Sequence, residues 1–468
     1  MNPLKILKEA IQQLPALKYA LGLLWLAAVI VIVVGFKVDL KIASFGVIVV
    51  AILMVELVLL ARLGAENPGV FLLPVLVFLW ISVGASSLTA SFLLTSAFFS
   101  WPLDLKLVIH PEPQPNARLA STESDPQVVS ILYATNRKQK LFGSSGSKFP
   151  EFSASLAEGV TLGSAHVRVP EHHFKGQIER PKLDLLHLSV FVLTFKTESD
   201  ATDFILKNIQ VLTKEEFVQV IRDSAATSAL IYVHGFATSF EECLYRVAQL
   251  KWDTGYNGVP IAFSWPSDGV PGPIEYNHDR QLAEDSEDDL LGVLDLVQSK
   301  AQVQKIYVVA HSLGCQIVLD AIDKARRSGK NLSLGEIVFA APDVPWQHFV
   351  RYGHVLPETA KGVTLYASST DTALIASEGY SELLRAGTVT KDGPLMLQGI
   401  ESIDISELGP NIFALNFNHN LVMSTRSALT DLGRILMTGT HPPDVRSPGE
   451  MRGFPEGIKP PSYWKVPQ

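Results

Sequence analysis

The chain has 468 residues, of which 47% are hydrophobic and 18% charged, and a formal net charge of −8. That length admits a membrane region plus one large soluble domain, the charged share falls below the roughly 25% usual for soluble domains, and the acidic balance gives no sign of a nucleic-acid partner. The two cysteines, Cys243 and Cys315, stand in no CxxC or Cys/His cluster, which excludes a disulfide framework and a zinc site of that kind.

The apolar excess lies at the N-terminal end, in residues 20–36 (ALGLLWLAAVIVIVVGF), 43–60 (ASFGVIVVAILMVELVLL) and 70–99 (VFLLPVLVFLWISVGASSLTASFLLTSAFF). A membrane-crossing helix needs about 20 apolar residues. Residues 1–103 therefore read as a membrane region of three transmembrane helices, the third tilted or extended beyond the bilayer. No A-x-A-like cleavage site follows the first run, and two more runs do, which favours a span over a removed signal peptide. Glu56 is the one ionisable residue within a run and reads as facing neighbouring helices. Lys5, Lys8 and Lys18 precede the first span and favour a cytoplasmic N-terminus. Three spans then place the remainder of the chain outside the cytoplasm. Residues 104–127 read as a Pro-rich linker, polar from His110 onward.

A domain over residues 128–440 follows. Residues 128–135 (VVSILYAT) read as a strand running into Asn136 and Arg137, and residues 143–146 (GSSG) as a small-residue loop. Residues 160–169 and 185–195 read as further strands, and 214–223 as a short helix. From Ser228 apolar strands alternate with amphipathic helices, the pattern of a parallel sheet covered on both faces. Residues 229–233 (ALIYV) form a buried-type strand ending in His234, Gly235 and Phe236. Residues 239–242 (SFEE) form a capping box, opening a helix with Leu244, Val247, Ala248 and Trp252 on one face. Residues 260–265 are the next strand, followed by a Gly/Pro-rich loop at 266–277 and a helix with Leu290, Leu291, Leu294 and Val297 together. Residues 305–310 (KIYVVA) run straight into His311, Ser312, Leu313 and Gly314, with Ile317, Val318, Ala321 and Ile322 sharing a helix face behind. Residues 336–341 and 363–368 are two more strands, and 421–436 the last helix. The tail, 441–468, is Pro-rich and reads as irregular.

Residues 310–314 (AHSLG) match the nucleophile elbow G-x-S-x-G, with Ala310 adding one methyl group at the first position. The turn is tight, so small residues must flank the serine, and a buried strand before and an amphipathic helix after supply the context that the motif requires. Ser312 is the candidate nucleophile; a plain helix N-cap is the competing reading. Acyl transfer also needs donors aimed at the developing oxyanion, and the backbone N–H groups of Leu313 and Phe236 are assigned to that role, with Gly235 permitting close approach. His234 reads as a structural histidine bonded to nearby backbone. With this elbow the order is Ser, acid, His. Asp371, after the later strand, is the candidate acid, with Asp343 as the alternative one strand earlier. His419, in a loop before the last helix, is the candidate base over His441 in the tail. Ser312 would attack the acyl carbon, His419 would take and return the proton, and Asp371 would orient the imidazole. No metal and no cofactor is expected.

The segments ILYATNR, IYVHGFATSFEECLYRVAQL, AFSWPSDG, VVAHSLG, FAAPDV and LYASSTDTAL, with His419 in the late loop, together resemble a bacterial α/β-hydrolase family of the esterase/lipase superfamily whose function is unknown. The resemblance covers residues 128–436 and leaves the apolar runs outside it. One departure is Asn420 after His419, where the family more often has Ser and aromatics. The resemblance implies an α/β-hydrolase fold and a serine hydrolase acting on carboxylic esters, its partners a small-molecule or lipid ester and the lipid bilayer. An amidase, peptidase or thioesterase using the same triad, or a hydrolase-like domain that only binds, are the alternatives. A bacterial chain of this kind would sit in the inner membrane with its hydrolase domain in the periplasm. A reporter fused after Gln127 tests the topology: a reporter active only in the periplasm should be functional there, and activity of a cytoplasm-only reporter instead would reverse the orientation.

Overall fold

The computed structural model describes residues 125–140, 149–179, 202–269, 272–408 and 420–467. The three apolar runs, the loop at 143–146, the strand expected at 185–195 and His419 lie outside the described residues. Among the described residues no helix is long and apolar enough to cross a membrane.

Among the described residues eleven strands form one sheet. β1 (Val128–Gln139), β2 (Phe152–Arg168) and β3 (Ile205–Leu212) are joined as antiparallel neighbours. The chain then enters the sheet centre through β4 (Ser228–Val233), β5 (Val259–Ser264), β6 (Lys305–His311), β7 (Leu334–Ala340), β8 (Ala360–Ala367) and β9 (Glu401–Asp404). These pair in parallel, with β1 alongside β5 and the order β9-β8-β7-β6-β4-β5-β1. Every residue of β4, β5 and β7 is buried, as strands covered on both faces require.

Two helical layers provide that cover. In β6, Ile306, Val308 and Ala310 face one core, while Tyr307 and Val309 face the other. The first core is closed by α1 (Lys214–Asp223), α3 (Pro273–Glu284), α4 (Glu287–Lys300), α5 (Gly314–Arg327) and α6 (Trp346–Gly353); the second by α2 (Phe240–Thr254) and α10 (Arg426–Thr438). Short α7 (Leu356–Thr359) leads into β8, α8 (Thr372–Ser381) follows it, and α9 (Leu421–Ser424) precedes α10. Both α1 and α2 start at complete capping boxes, Thr213 with Glu216 and Ser239 with Glu242.

Four expectations are corrected. Residues 266–277 are not all loop, because Pro273 opens α3 at a first-turn position that needs no backbone N–H. The last helix is broken at Thr425, whose extended backbone (φ −101°, ψ 140°) separates α9 from α10. Trp252 does not share the buried face of Leu244, Val247 and Ala248 but is exposed. The tail is not irregular: after α11 (Pro443–Arg446), β10 (Arg452–Phe454) and β11 (Tyr463–Lys465) extend the sheet, β11 lying parallel to β9 through Trp464 and Ile403.

A buried polar cluster holds the tail. Arg446 Nε donates to Asp431 Oδ1 at 2.8 Å and its Nη1 to Glu401 Oε2 at 2.7 Å, while Tyr366 also donates to Asp431. His441 lies between Glu336, 3.1 Å from its Nε2, and Glu401, 2.9 Å from its Nδ1, with Arg446 Nη1 3.4 Å away. A Cβ on Gly362 would fall 2.2 Å from His441 Nε2, so glycine makes the room for this ring. The Glu336 and Glu401 carboxylates raise the His441 pKa from 6.5 to about 9. An imidazole stabilised as its cation contributes fully below pH 6.5 and loses that contribution as pH rises through 9. His441→Gln should therefore lower the thermal midpoint at pH 6 and leave it equal to the wild type above pH 10. An equal loss at both pH values would show that the charged pair is not the stabilising element.

Candidate active site at the elbow

The site is built at the C-terminal edge of the parallel strands. β6 passes through Ala310, paired with Val233, and His311, paired with Ala340, and turns at Ser312 into α5. Ser312 has φ +52°. A non-glycine residue rarely occupies that left-handed region, at a cost of roughly 1–2 kcal/mol, and it persists only when its surroundings enforce it. Here Ser312 N donates to Ala340 O at 3.0 Å, while Ser312 O accepts from Cys315 N at 3.0 Å and from Asp343 N at 3.2 Å. The serine is thus braced by its own helix and by the end of β7.

Close packing of backbone completes the turn. A Cβ on Gly314 would stand 2.2 Å from His234 O and 2.8 Å from Val233 O. A Cβ on Gly235 would stand 2.7 Å from Ser312 Cβ. The two glycines therefore let the loop after β4 lie directly against the elbow, which places Gly235 beside the serine and Phe236 next in the chain. Ala237, one residue on, also has a positive φ of +52°. Phe236 packs edge-on against Tyr276 of α3, ring centroids 5.3 Å apart. Leu313 occupies the first turn behind the serine, buried.

His234 is a neutral, enclosed ring. It stacks on Trp265 at 5.0 Å with 10° between planes, and its nitrogens lie 2.8 Å from Gly235 O and 3.1 Å from Trp265 O. Burial, with the nearby Arg137 cation, pushes its pKa down to about 3. At neutral pH it is the uncharged imidazole, whose single N–H donates to one of those two carbonyls.

The two candidate acids occupy different surroundings. Asp343 is consumed by neighbours: its Oδ2 accepts from Tyr276 OH at 2.9 Å, its Oδ1 from Ser377 Oγ at 2.7 Å, and Arg385 Nε lies 3.2 Å from Oδ1. Both members of this ion pair are buried. Asp371 follows β8 at the same sheet edge and caps α8, its Oδ1 accepting from Ala373 N and Leu374 N at 3.1 Å each. His419 lies outside the described residues. His441, the other histidine beyond Asp371, sits on Glu336, four residues before the end of β7. At about 3.3 Å per residue that is roughly 13 Å from the elbow edge, so His441 cannot serve Ser312.

Sequence reasoning missed the residues that hold these loops. Arg137, Ser264, Ser267, Asp279, Tyr276 and Arg385 are buried polar groups around the elbow. Two of them, Tyr276 and Asp279, come from α3, which had been read in part as loop. The available signal was an arginine at the end of a buried strand, where a charge needs dedicated partners. Among the described residues no group of three or more His, Cys, Asp or Glu could hold a metal ion. A groove of about 520 Å³ between β2, β3 and α4, lined by Val160, Leu162, Leu212 and Asp289 among others, contains none of the elbow residues.

The parallel sheet, its two helical layers and the left-handed serine between strand and helix define an α/β-hydrolase fold. Residues 210–431 match the family model described as alpha/beta hydrolase of unknown function (DUF900). Solved structures with similarity include an uncharacterized protein from Bacillus cereus, at 12% identity and a TM-score of 0.28, covering 46% of this chain and 61% of that one. An esterase from Pyrobaculum calidifontis is similar at 15% identity and a TM-score of 0.25, covering 45% of this chain and 76% of its own. An esterase from Pyrococcus furiosus is similar at 14% identity and a TM-score of 0.20, with 39% and 74% covered. No curated protein matches the chain.

The contrast between the two aspartates gives a direct expectation. Asp343→Asn removes the charge that neutralises buried Arg385, and breaking a buried pair from one side costs about 3–5 kcal/mol. Denaturant unfolding should show a loss of that size, with kcat per folded molecule little changed. A large fall in kcat at unchanged stability would make Asp343 the acid instead.

Proposed function

We propose that this chain is a membrane-anchored serine hydrolase acting on carboxylic esters through an acyl-enzyme, with Ser312 as nucleophile, His419 as base and Asp371 as acid. The observation that carries the reading is the left-handed backbone of Ser312 at a strand-to-helix turn with Gly235 packed against it. That strain has no use in a helix cap, because an N-cap residue takes ordinary extended backbone, and it is the conformation that raises a serine hydroxyl above a sheet edge.

In this reading Ser312 Oγ bonds to the acyl carbon while His419 takes its proton. The negative charge moves onto the carbonyl oxygen, facing the N–H groups of Leu313 and Phe236. The tetrahedral species collapses with cleavage of the C–O bond, and the alcohol leaves with the proton that His419 returns. Water repeats the sequence on the acyl-enzyme and releases the acid. Asp371 orients the imidazole and stabilises its cation. The exclusive engagement of Asp343 by Tyr276, Ser377 and Arg385 supports Asp371 over it. The apolar runs of residues 20–99 support the anchor. Ile375, Tyr380, Leu383 and Leu384 are exposed apolar side chains on α8 and just after it, which suits an ester with an apolar acyl group.

A fluorophosphonate probe applied to the full-length chain in detergent should label the wild type and not Ser312→Ala. Absence of labelling on folded wild type would sink the enzymatic reading. Asp371→Asn should lower kcat by about 10⁴-fold with little loss of stability, since the imidazole loses the partner that fixes its tautomer. Turnover of a thioester or an amide in preference to p-nitrophenyl butyrate would move the substrate class while keeping the machinery.

A further inference from the structure

We propose that Arg137 is a positioning residue for the oxyanion hole: its guanidinium locks the loop that carries Phe236 by gripping it on both sides. The inference rests on the serine-hydrolase reading above.

Arg137 reaches this place through an irregularity in β1. The β1–β2 register runs regularly to Thr135, opposite Thr161, then jumps so that Arg137 faces Leu156. Such a break re-aims the side chains that follow it. The arginine is buried near the C-terminal end of β1. Its Nε donates to Ser264 Oγ at 2.9 Å, Nη1 to Ser267 O at 2.7 Å and Nη2 to Thr238 O at 2.7 Å, with His234 Nε2 3.5 Å from Nη2. Among the described residues no carboxylate lies at hydrogen-bond distance from it. Burial lowers its pKa to about 10, which leaves it a cation at neutral pH.

The partners are informative because of where they stand. His234 and Thr238 bracket the segment Gly235, Phe236 and Ala237, which packs on Ser312 and contains the second left-handed residue. Ser264 and Ser267 belong to the end of β5 and its loop, where Ser267 Oγ also accepts from Thr238 N at 3.1 Å and donates to buried Asp279 of α3. One planar fork thus ties three chain segments around the donor peptide. A buried cation without an ion pair is costly, and a grip on backbone carbonyls at this loop is the return for it.

Fork and charge can be separated. Arg137→Lys keeps a cation but is a point charge unable to span the three acceptors; Arg137→Met keeps neither. In the full-length chain, active sites are counted by fluorophosphonate labelling and kcat for p-nitrophenyl butyrate is expressed per labelled site. Arg137→Met should lose about 10²-fold in kcat, the scale expected when a stabilising group is misplaced by about 1 Å, with KM unchanged. Arg137→Lys should also lose most of its activity. His441→Gln, on the opposite sheet edge, lowers the melting temperature but should keep wild-type kcat per site. A purely structural role for Arg137 would lower the labelled fraction and the melting temperature while leaving kcat per site intact, and that result in either variant would overturn the inference with the hydrolase reading still standing. Failure of the wild type to label or turn over would remove the reading and the inference together.

Discussion

The elbow closes because three stretches of backbone meet with no side chain between them. Ser312 turns left-handed where Gly314 touches His234 O and Gly235 touches Ser312 itself. The end of β4 and the end of β6 are neighbours in the sheet, so their loops are forced into the same space. Only glycine at both contact points leaves room for that approach. Everything else at this edge serves that approach: β7 braces the serine through Ala340 O, and α5 starts immediately behind it.

Around this point the fold places two buried polar knots, and α3 contributes to both. Tyr276 reaches Asp343 below the elbow, and Asp279, three residues on, reaches Ser267 beside the loop after β4. Residues three apart lie on one helical face, so a single helix seats both loops at once. Burying Arg137, Arg385, Asp343 and Asp279 is unfavourable for stability taken alone. Placed together at one edge, they fix loops that apolar packing would hold less exactingly, since hydrogen bonds carry direction and dispersion does not.

Much of the sheet was legible in the sequence, for physical reasons that vary by element. Parallel strands such as ALIYV and KIYVVA are buried on both faces and so read as unbroken apolar runs. The helix of residues 214–223 was legible because its cap, its acidic first turn and its apolar stripe agree. β3 was not: its lysine, asparagine and glutamine dilute the alternation of an edge strand with one buried side. β10 and β11 are three residues each, too short for any period, and exist only because β9 offers them a free edge. At the elbow, the left-handed turn of Ser312 was legible because strand, small-residue turn and helix form one local sequence pattern. Arg137 and Asp343 acquire their meaning from partners more than thirty residues away, Thr238 and Ser377 among them, which no local pattern encodes.

The late strands also set an order of assembly. During synthesis the N-terminal strands emerge first, and the sheet can grow from β4 through β9 while the ribosome is still translating. Until residues 463–465 appear, β9 presents bare amide and carbonyl groups, and Asp431 awaits Arg446. An exposed strand edge of that kind invites pairing with another chain. Docking of β11 covers that edge and, through Arg446, completes the buried cluster around Asp431.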